Sequence, residues 1–296
     1  MFILLILSAL LNQEVLDVKS AIKFMLISTF AFACMNAVVK QLTHISAFQI
    51  VFFRSLSSLF FTFGFLLRYK IPIIGNNNKL LILRGVIGVT SMILFFMSIK
   101  YLPVGTAVSL RYIAPIFAAI FAVILLGEKI KPLQWLFFLI AFMGVIVLKG
   151  FGSDLNTVGL LLVLLAAFFT GLVYIIINKI GKSEHPVVVV NYFMVIATVV
   201  GGILSISNWT NPRGMDWLFL LSLGVFGYFG QVYMTKAFQA ASTNQVAPLK
   251  YIEVIFTVSF GVCLFGEIYT VWTILGISLI IVGLILNVLY KAKYKL

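Results

Sequence analysis

Three basic residues, Arg54, Arg111 and Lys250, and one acid, Glu253, lie well inside long apolar runs of this 296-residue chain. At a rise of about 1.5 Å per residue, Arg111 and Lys250 sit on the order of 10 Å from the ends of helices drawn through them. A charge at that depth in lipid costs about 2.5–3.5 kcal/mol on insertion scales, so such groups face water, a partner or a ligand. The chemistry open to them is recognition of a carboxylate or phosphate. Arg111 is the better oriented anchor, because a guanidinium presents a planar, bidentate fork. Glu253 is three residues from Lys250, close enough on one helix face to neutralise it. It is also the only acid placed deep in a span, which makes its protonation the candidate step for coupling to a proton gradient.

Other polar side chains fall at helical spacing beside these four. Asn36 shares a face with Thr29 and Lys40, and Arg54 continues into Ser57 and Ser58. Thr170, Tyr174 and Asn178 recur every four residues, as do Gln231 and Thr235 near Tyr228. Lys250, Glu253, Thr257 and Gly261 form a further stripe. Interhelical hydrogen bonding accounts for each Ser and Thr taken singly. Taken together with the four ionisable groups, the stripes predict a hydrated cavity, with Tyr112, Tyr174, Tyr228 and Tyr251 as amphipathic walls. Enzyme chemistry has no support: His44 and His185 fall in opposite loops, and no metal-ligand set or nucleophile constellation is present. No glycine-rich loop ends in Lys-Ser or Lys-Thr, so no cofactor or nucleotide-driven step is expected.

The elements that must position these groups are spans of a membrane. The chain is 62% hydrophobic and 10% charged, where a soluble domain carries roughly 25% charged residues. Its formal charge of +13 sits mainly between apolar runs, where it orients the chain and meets anionic headgroups rather than nucleic acid. Ten runs of about 20 residues fit near 20–42, 46–68, 80–101, 104–126, 132–149, 157–179, 185–206, 216–238, 244–265 and 270–290. Gly, Pro and Asn clusters punctuate them. Cys34 and Cys263 lie inside apolar runs and indicate no disulfide framework.

The chain repeats itself at a constant offset of 139 residues. That shift carries Arg111-Tyr112-Ile113 onto Lys250-Tyr251-Ile252, Gly127-Glu128 onto Gly266-Glu267, and Gly144 onto Gly283. It also carries Gly85 and Gly88 onto Gly224 and Gly227, and Lys40 onto Lys179. Five spans per copy is an odd number, so the second copy enters the membrane from the opposite side. The organisation expected is an N-terminal extension over 1–19, five-helix repeats over 20–150 and 157–290, and a basic tail over 291–296. Arg111 and Lys250 then point into one central space from related positions. With the N-terminus in the cytoplasm, fourteen of the Lys and Arg residues, Arg84 among them, fall inside and four outside. Both termini are therefore expected in the cytoplasm. Residues 1–11 are apolar but too short to span, and no basic residue precedes Lys19 as a signal peptide would require. The two Gly-Glu pairs read as left-handed helix stops followed by an acid at the next helix start, with pairing at a gate as the second reading.

These residues together resemble the EamA-type members of the drug/metabolite transporter superfamily. The likeness is carried by Pro103-Val104-Gly105-Thr106-Ala107, Tyr112-Ile113-Ala114-Pro115-Ile116-Phe117 and Leu126-Gly127-Glu128. The second half repeats it in Ala247-Pro248-Leu249, Tyr251-Ile252-Glu253 and Leu264-Phe265-Gly266-Glu267. Residues 247–253 are also similar to the ninth-span motif of the S-adenosylmethionine uptake branch. The resemblance implies an all-α polytopic fold of ten helices in two inverted repeats, in a bacterial plasma membrane. It implies a substrate held between the halves, with the fifth and tenth spans peripheral or dimeric. The expected activity is secondary, alternating-access transport of a small polar metabolite such as an amino acid or S-adenosylmethionine. Export of drug-like or nucleotide-sugar metabolites is the alternative, and a channel ranks below it because inverted repeats offer no ring of ligands. The partners expected are a small-molecule substrate, the bilayer and, through those peripheral spans, a second copy of the chain.

Overall fold

Apolar runs in lipid satisfy their backbone groups only by closing them into helices. The computed structural model describes residues 15–126, 131–147, 156–240, 246, 249–250 and 252–294. Residues 1–11, Gly127, Glu128 and Tyr251 lie outside them, as do Ala247 and Pro248. The described helices are α1 (Val15–Gln41), α2 (Ala47–Arg68), α3 (Asn78–Ile99), α4 (Val104–Arg111), α5 (Ala114–Leu126) and α6 (Pro132–Val147). They continue as α7 (Thr157–Ile180), α8 (Pro186–Ser205), α9 (Asp216–Ala240), α10 (Ile252–Phe265) and α11 (Val271–Tyr294). No strand occurs among the described residues. Seven helical segments are long and apolar enough to cross a membrane, counting α4 and α5 as one, and α6, α10 and α11 supply three shorter apolar helices. The chain is an all-helical, multi-pass membrane protein.

Local chemistry sets the helix starts. Asn77 caps α3 by accepting from Leu80 N–H at 3.2 Å, and Asn156 caps α7 by accepting from Val158 and Gly159 at 2.9 and 3.1 Å. His185 precedes Pro186 at the first position of α8. Burial, with Lys236 nearby, lowers the His185 pKa, which favours the neutral ring whose Nδ1 accepts from Val187 N–H at 3.2 Å. These devices are N-cap and N1-proline chemistry. Helices α2, α3, α6, α8, α9 and α11 begin at Ala47, Asn78, Pro132, Pro186, Asp216 and Val271. The last three follow the first two and the third, in order, by the 139-residue shift to within one residue.

Packing runs mainly across the two halves. α1 lies against α9 and α10, α2 against α8 and α9, and α3 against α7 and α8; α7 also packs on α4 and α5, α4 meets α10, and α6 meets α11. The apolar outer surface is lipid-facing, with Phe60 75% and Ile124 70% exposed, so water does not drive these contacts together. Close approach and interhelical hydrogen bonds hold them instead. Ser91 Oγ donates to Ala166 O at 2.9 Å and Ser28 Oγ donates to Gly230 O at 2.8 Å. Positions 91 and 230 are related by the same shift. A Cβ on Gly283 would meet Ala141 N at 2.7 Å, and one on Gly144 would meet Gly276 O at 2.6 Å. The repeat-related glycines thus seat α6 on α11, and Gln134 donates to Asn287 Oδ1 across the same seam at 3.0 Å.

Two spans depart from continuous helices. The stretch over 104–126 breaks at Tyr112 and Ile113, because Pro115 has no N–H to give the Arg111 carbonyl. Ile113 N–H instead reaches back to Leu110 O at 3.1 Å. In the second half α10 begins only at Ile252, after a 3-10 turn that carries Leu249 and Lys250. Both interruptions fall at the repeat-related cations.

Candidate functional site

The interruptions open onto a buried cavity of about 80 Å³, room for a handful of waters at about 10–15 Å³ each. Its walls come from both halves: Arg54, Arg84, Arg111, Phe32, Phe95 and Phe96 from the first, and Tyr174, Phe193, Gln231, Met234 and Lys250 from the second. Arg54 and Arg84 are each 1% exposed and are among the largest fully buried side chains.

Glu253 organises one wall. It is fully buried and sits in the first turn of α10, where the helix terminus favours a carboxylate. Its Oε1 accepts from Asn36 Nδ2 at 3.0 Å and from Arg111 Nη2 at 3.2 Å. Its Oε2 accepts from Tyr112 O–H at 2.6 Å. The Arg111 guanidinium also lies 3.7 Å above the Phe95 ring. The neutralising partner of Glu253 is therefore Arg111, not Lys250. The turn that starts at Leu249 carries the Lys250 ammonium away to Met234 sulfur at 3.5 Å and to the Phe32 ring at 4.9 Å.

Of the residues expected at the site, Arg54, Arg111, Tyr174, Gln231 and Lys250 line the cavity. Asn36, Tyr112 and Glu253 stand behind Arg111 as its hydrogen-bonded support. Tyr228 is elsewhere: its ring packs on Phe61, 5.6 Å away, and Phe61 is 42% exposed toward lipid. Tyr251 lies outside the described residues. Most Ser and Thr positions serve packing, as Ser58 Oγ donating to Gly224 O at 2.9 Å illustrates.

Arg84 changes its assignment. Counted in sequence among the cytoplasmic basic residues, it lies six residues into α3, about 9 Å from the helix start. It donates to Gln231 Oε1 at 2.9 Å and stacks 4.3 Å over Phe193. The signal available was its helical face, shared with Gly88, Ser91 and Phe95 at spacings of four, seven and eleven. Without Arg84 the inside count falls to thirteen against four, and the bias keeps its direction.

Contacts between the halves also join helix ends at each face of the bundle. At one face Glu267 Oε1 accepts from Val104 N–H at 3.0 Å and lies 3.7 Å from Lys40 Nζ. Lys40 also donates to Leu102 O at 3.2 Å, and Tyr269 O–H donates to Glu267 Oε2. Burial and that bond to Glu267 raise the Tyr269 pKa, which keeps the phenol a donor. Gly266, at φ +59°, makes the left-handed turn that aims Glu267 back at α4. An open recess of about 490 Å³ beside this latch is lined by Lys40, Thr43, Lys100 and Glu267. At the other face Glu184 Oε1 accepts from Asn77 N–H at 2.7 Å and Asn76 donates to Ser183 O at 3.3 Å, while Gln239, within the second half, donates to Gly181 O and Glu184 O at 2.8 and 3.0 Å.

Comparison with known proteins points the same way. A sequence model of the EamA-like transporter family matches residues 19–149 and again 157–289. The pseudopaline exporter of Pseudomonas aeruginosa is 30% identical over 275 residues, covering 92% of this chain and 97% of the relative. Human solute carrier family 35 member G1 is 31% identical over 271 residues, covering 86% of this chain and 74% of its own length. The S-adenosylmethionine uptake transporter of Rickettsia prowazekii is 26% identical over 253 residues, covering 85% of each. All three are members of the drug/metabolite transporter superfamily. A buried, charged cavity between two matching halves, and a family model that fits each half in turn, have one common reading: the chain belongs to the EamA-like transporter family.

Proposed function

We propose that this protein is a secondary carrier that moves a small, polar, organic metabolite bearing carboxylate or phosphate, by alternating access. The observation that carries the reading is the cavity itself. Its cations are buried and come from both halves, and a separate inter-half contact joins helix ends at each face. Separating Lys40 from Glu267 would expose the cavity to one side, and separating Asn77 from Glu184 would expose it to the other. The matching helix starts and the reciprocal packing support ten spans in two inverted repeats, 20–150 and 157–290, with 1–19 and 291–296 as extensions. The positive-inside bias supports an orientation with both termini cytoplasmic, in what we take to be a bacterial plasma membrane. An amino acid, S-adenosylmethionine or a related solute fits the class. One relative is named as an exporter and another for uptake, so either direction is within the family.

Arg111 is the proposed anchor and Glu253 the proposed coupling group. A substrate anion and Glu253 compete for one guanidinium, and protonating Glu253 releases Arg111 to the substrate. The test is uptake into proteoliposomes. Saturation and trans-stimulation mark a carrier, whereas a conductance marks a channel. Arg111→Lys keeps the charge and loses the fork, so transport should fall about tenfold or more at matched protein amount. At matched amounts of folded protein, Glu253→Gln should abolish gradient-driven accumulation and leave exchange. Full transport by the lysine variant removes Arg111 from the anchor role.

A further inference from the structure

The cavity is lined by four cations, and among the described residues one acid, Glu253, stands paired beside it. Glu253 spends both oxygens on Arg111, Asn36 and Tyr112. Arg54, Arg84 and Lys250, all at least 96% buried, form no ion pair within 4 Å among the described residues, and Glu253 reaches Lys250 only through space. Their contacts are soft ones. Arg54 Nε lies 3.0 Å from Met35 sulfur, Lys250 lies against Met234 and Phe32, and Arg84 has the single neutral acceptor Gln231. Arg84 Nε and Nη1 are buried with no hydrogen-bond partner. Buried donors on a charged group are costly to leave unmade, so these positions await an acceptor from outside the protein.

The repeat makes room for them. A Cβ on Gly88 would come 3.4 Å from Arg84 Nη1 and 3.2 Å from the Phe193 ring, and a Cβ on Gly227 would come 3.0 Å from Arg54 Nε. Gly88 and Gly227 are related by the 139-residue shift, so each half leaves a glycine beside one of these arginines. Both guanidiniums lie near the same ring, Phe193, at 5.8 Å for Arg54 and 4.3 Å for Arg84. Lys250 stands apart, over Phe32.

We infer that the solute carries at least two anionic groups, carboxylate or phosphate, one held by Arg54 and Arg84 beside Phe193 and another by Lys250. Arg84 is thereby a binding residue that sets the preference for dianions over monoanions and zwitterions. The inference rests on the proposed carrier for its setting. It predicts a preference that the carrier reading alone does not. S-adenosylmethionine, with one carboxylate against two positive groups, is a poor match for three unbalanced cations.

The experiment is thermal unfolding of the purified full chain in detergent with citrate, 2-oxoglutarate, glycerol 3-phosphate, acetate, alanine or S-adenosylmethionine. The multiply charged acids or the phosphate ester should raise the midpoint in a salt-sensitive way, and acetate, alanine and S-adenosylmethionine should not. Whether carboxylate or phosphate is preferred is read from the first three solutes. Arg84→Gln should weaken dianion binding on the order of 10- to 100-fold while its ligand-free midpoint stays at or above that of the parent, because an unbalanced buried charge is gone. Arg84→Lys should retain part of the binding, which guards against a misfolded glutamine variant. No stabilisation by any dianion, or equal discrimination in both Arg84 variants, overturns the inference. Saturable exchange of a monoanion or zwitterion without dianion binding overturns it and leaves the carrier standing. Dianion binding without exchange of any solute does the reverse.

Discussion

Replacing Glu253 by Gln removes the carboxylate that stands behind Arg111, beside a cavity lined by Arg54, Arg84, Arg111 and Lys250. The amide keeps an acceptor for Asn36 and Arg111, which donate at 3.0 and 3.2 Å, so most of the hydrogen bonding survives. What is lost is charge. Two unit charges about 4 Å apart at an effective dielectric near 20 attract by about 4 kcal/mol, in line with the roughly 3–5 kcal/mol that follows removal of one partner from a buried pair. Arg111→Gln leaves the fully buried carboxylate with only neutral donors and should cost a similar amount. The Arg111→Gln, Glu253→Gln double variant carries no ion there at all, so its loss should be about 3 kcal/mol smaller than the sum of the singles. Reversible SDS titration in mixed micelles, followed by tryptophan fluorescence, measures all four corners of this cycle. Additivity to within about 0.5 kcal/mol would refute the pair. Recovery by Lys250→Met, Glu253→Gln in place of the Arg111 double would move the pairing to Lys250.

The remaining predictions concern the two faces. With Cys34 and Cys263 replaced, cysteines at Asn77 and Lys182 should be shielded from an impermeant thiol reagent in intact cells, and cysteines at Asn156 and Asn211 should label. The reverse pattern inverts the orientation. Glu267→Gln removes a carboxylate from the α4 N-terminus, worth about 0.3–1 kcal/mol, and from the partly exposed Lys40, worth up to about 1 kcal/mol. A cysteine at buried Ala107 should then label from the Lys40 face roughly 2- to 30-fold faster at equilibrium. An unchanged rate removes Glu267 from the latch.

The helix pattern was legible because lipid leaves few choices. Long apolar runs become helices, Asn77, Asn156 and His185 stand where caps are needed, and the shift between halves recurs in the helix starts. The interruptions were not. Pro115 marks a missing bond to Arg111 in hindsight, but a proline in an apolar run specifies neither which carbonyl is freed nor whether the span kinks or stops. In the second half the break at Leu249 and Lys250 is not the copy of a proline at the matching position, since position 254 is Val. The two breaks share their position in the repeat and a nearby proline, Pro115 after the first and Pro248 before the second, at positions the repeat does not match.

The site shows the same division between kind and partner. That Arg54, Arg111 and Lys250 converge follows from depth and symmetry, both of which a sequence contains. That Glu253 answers Arg111 across 142 positions rather than Lys250 three positions away depends on the turn preceding α10, which rotates Lys250 off the helical face. Arg84 was misassigned for a related reason. Counting charges by their distance from a span end treats a basic residue two turns in as one that reaches the headgroups, and many do. Here the ring of Phe193 and the amide of Gln231 lie within reach, and the guanidinium turns inward to them past Gly88, one turn further on. Snorkelling and convergence begin from the same residue at the same depth, and the partners within reach, here the Gln231 amide and the Phe193 ring, distinguish them.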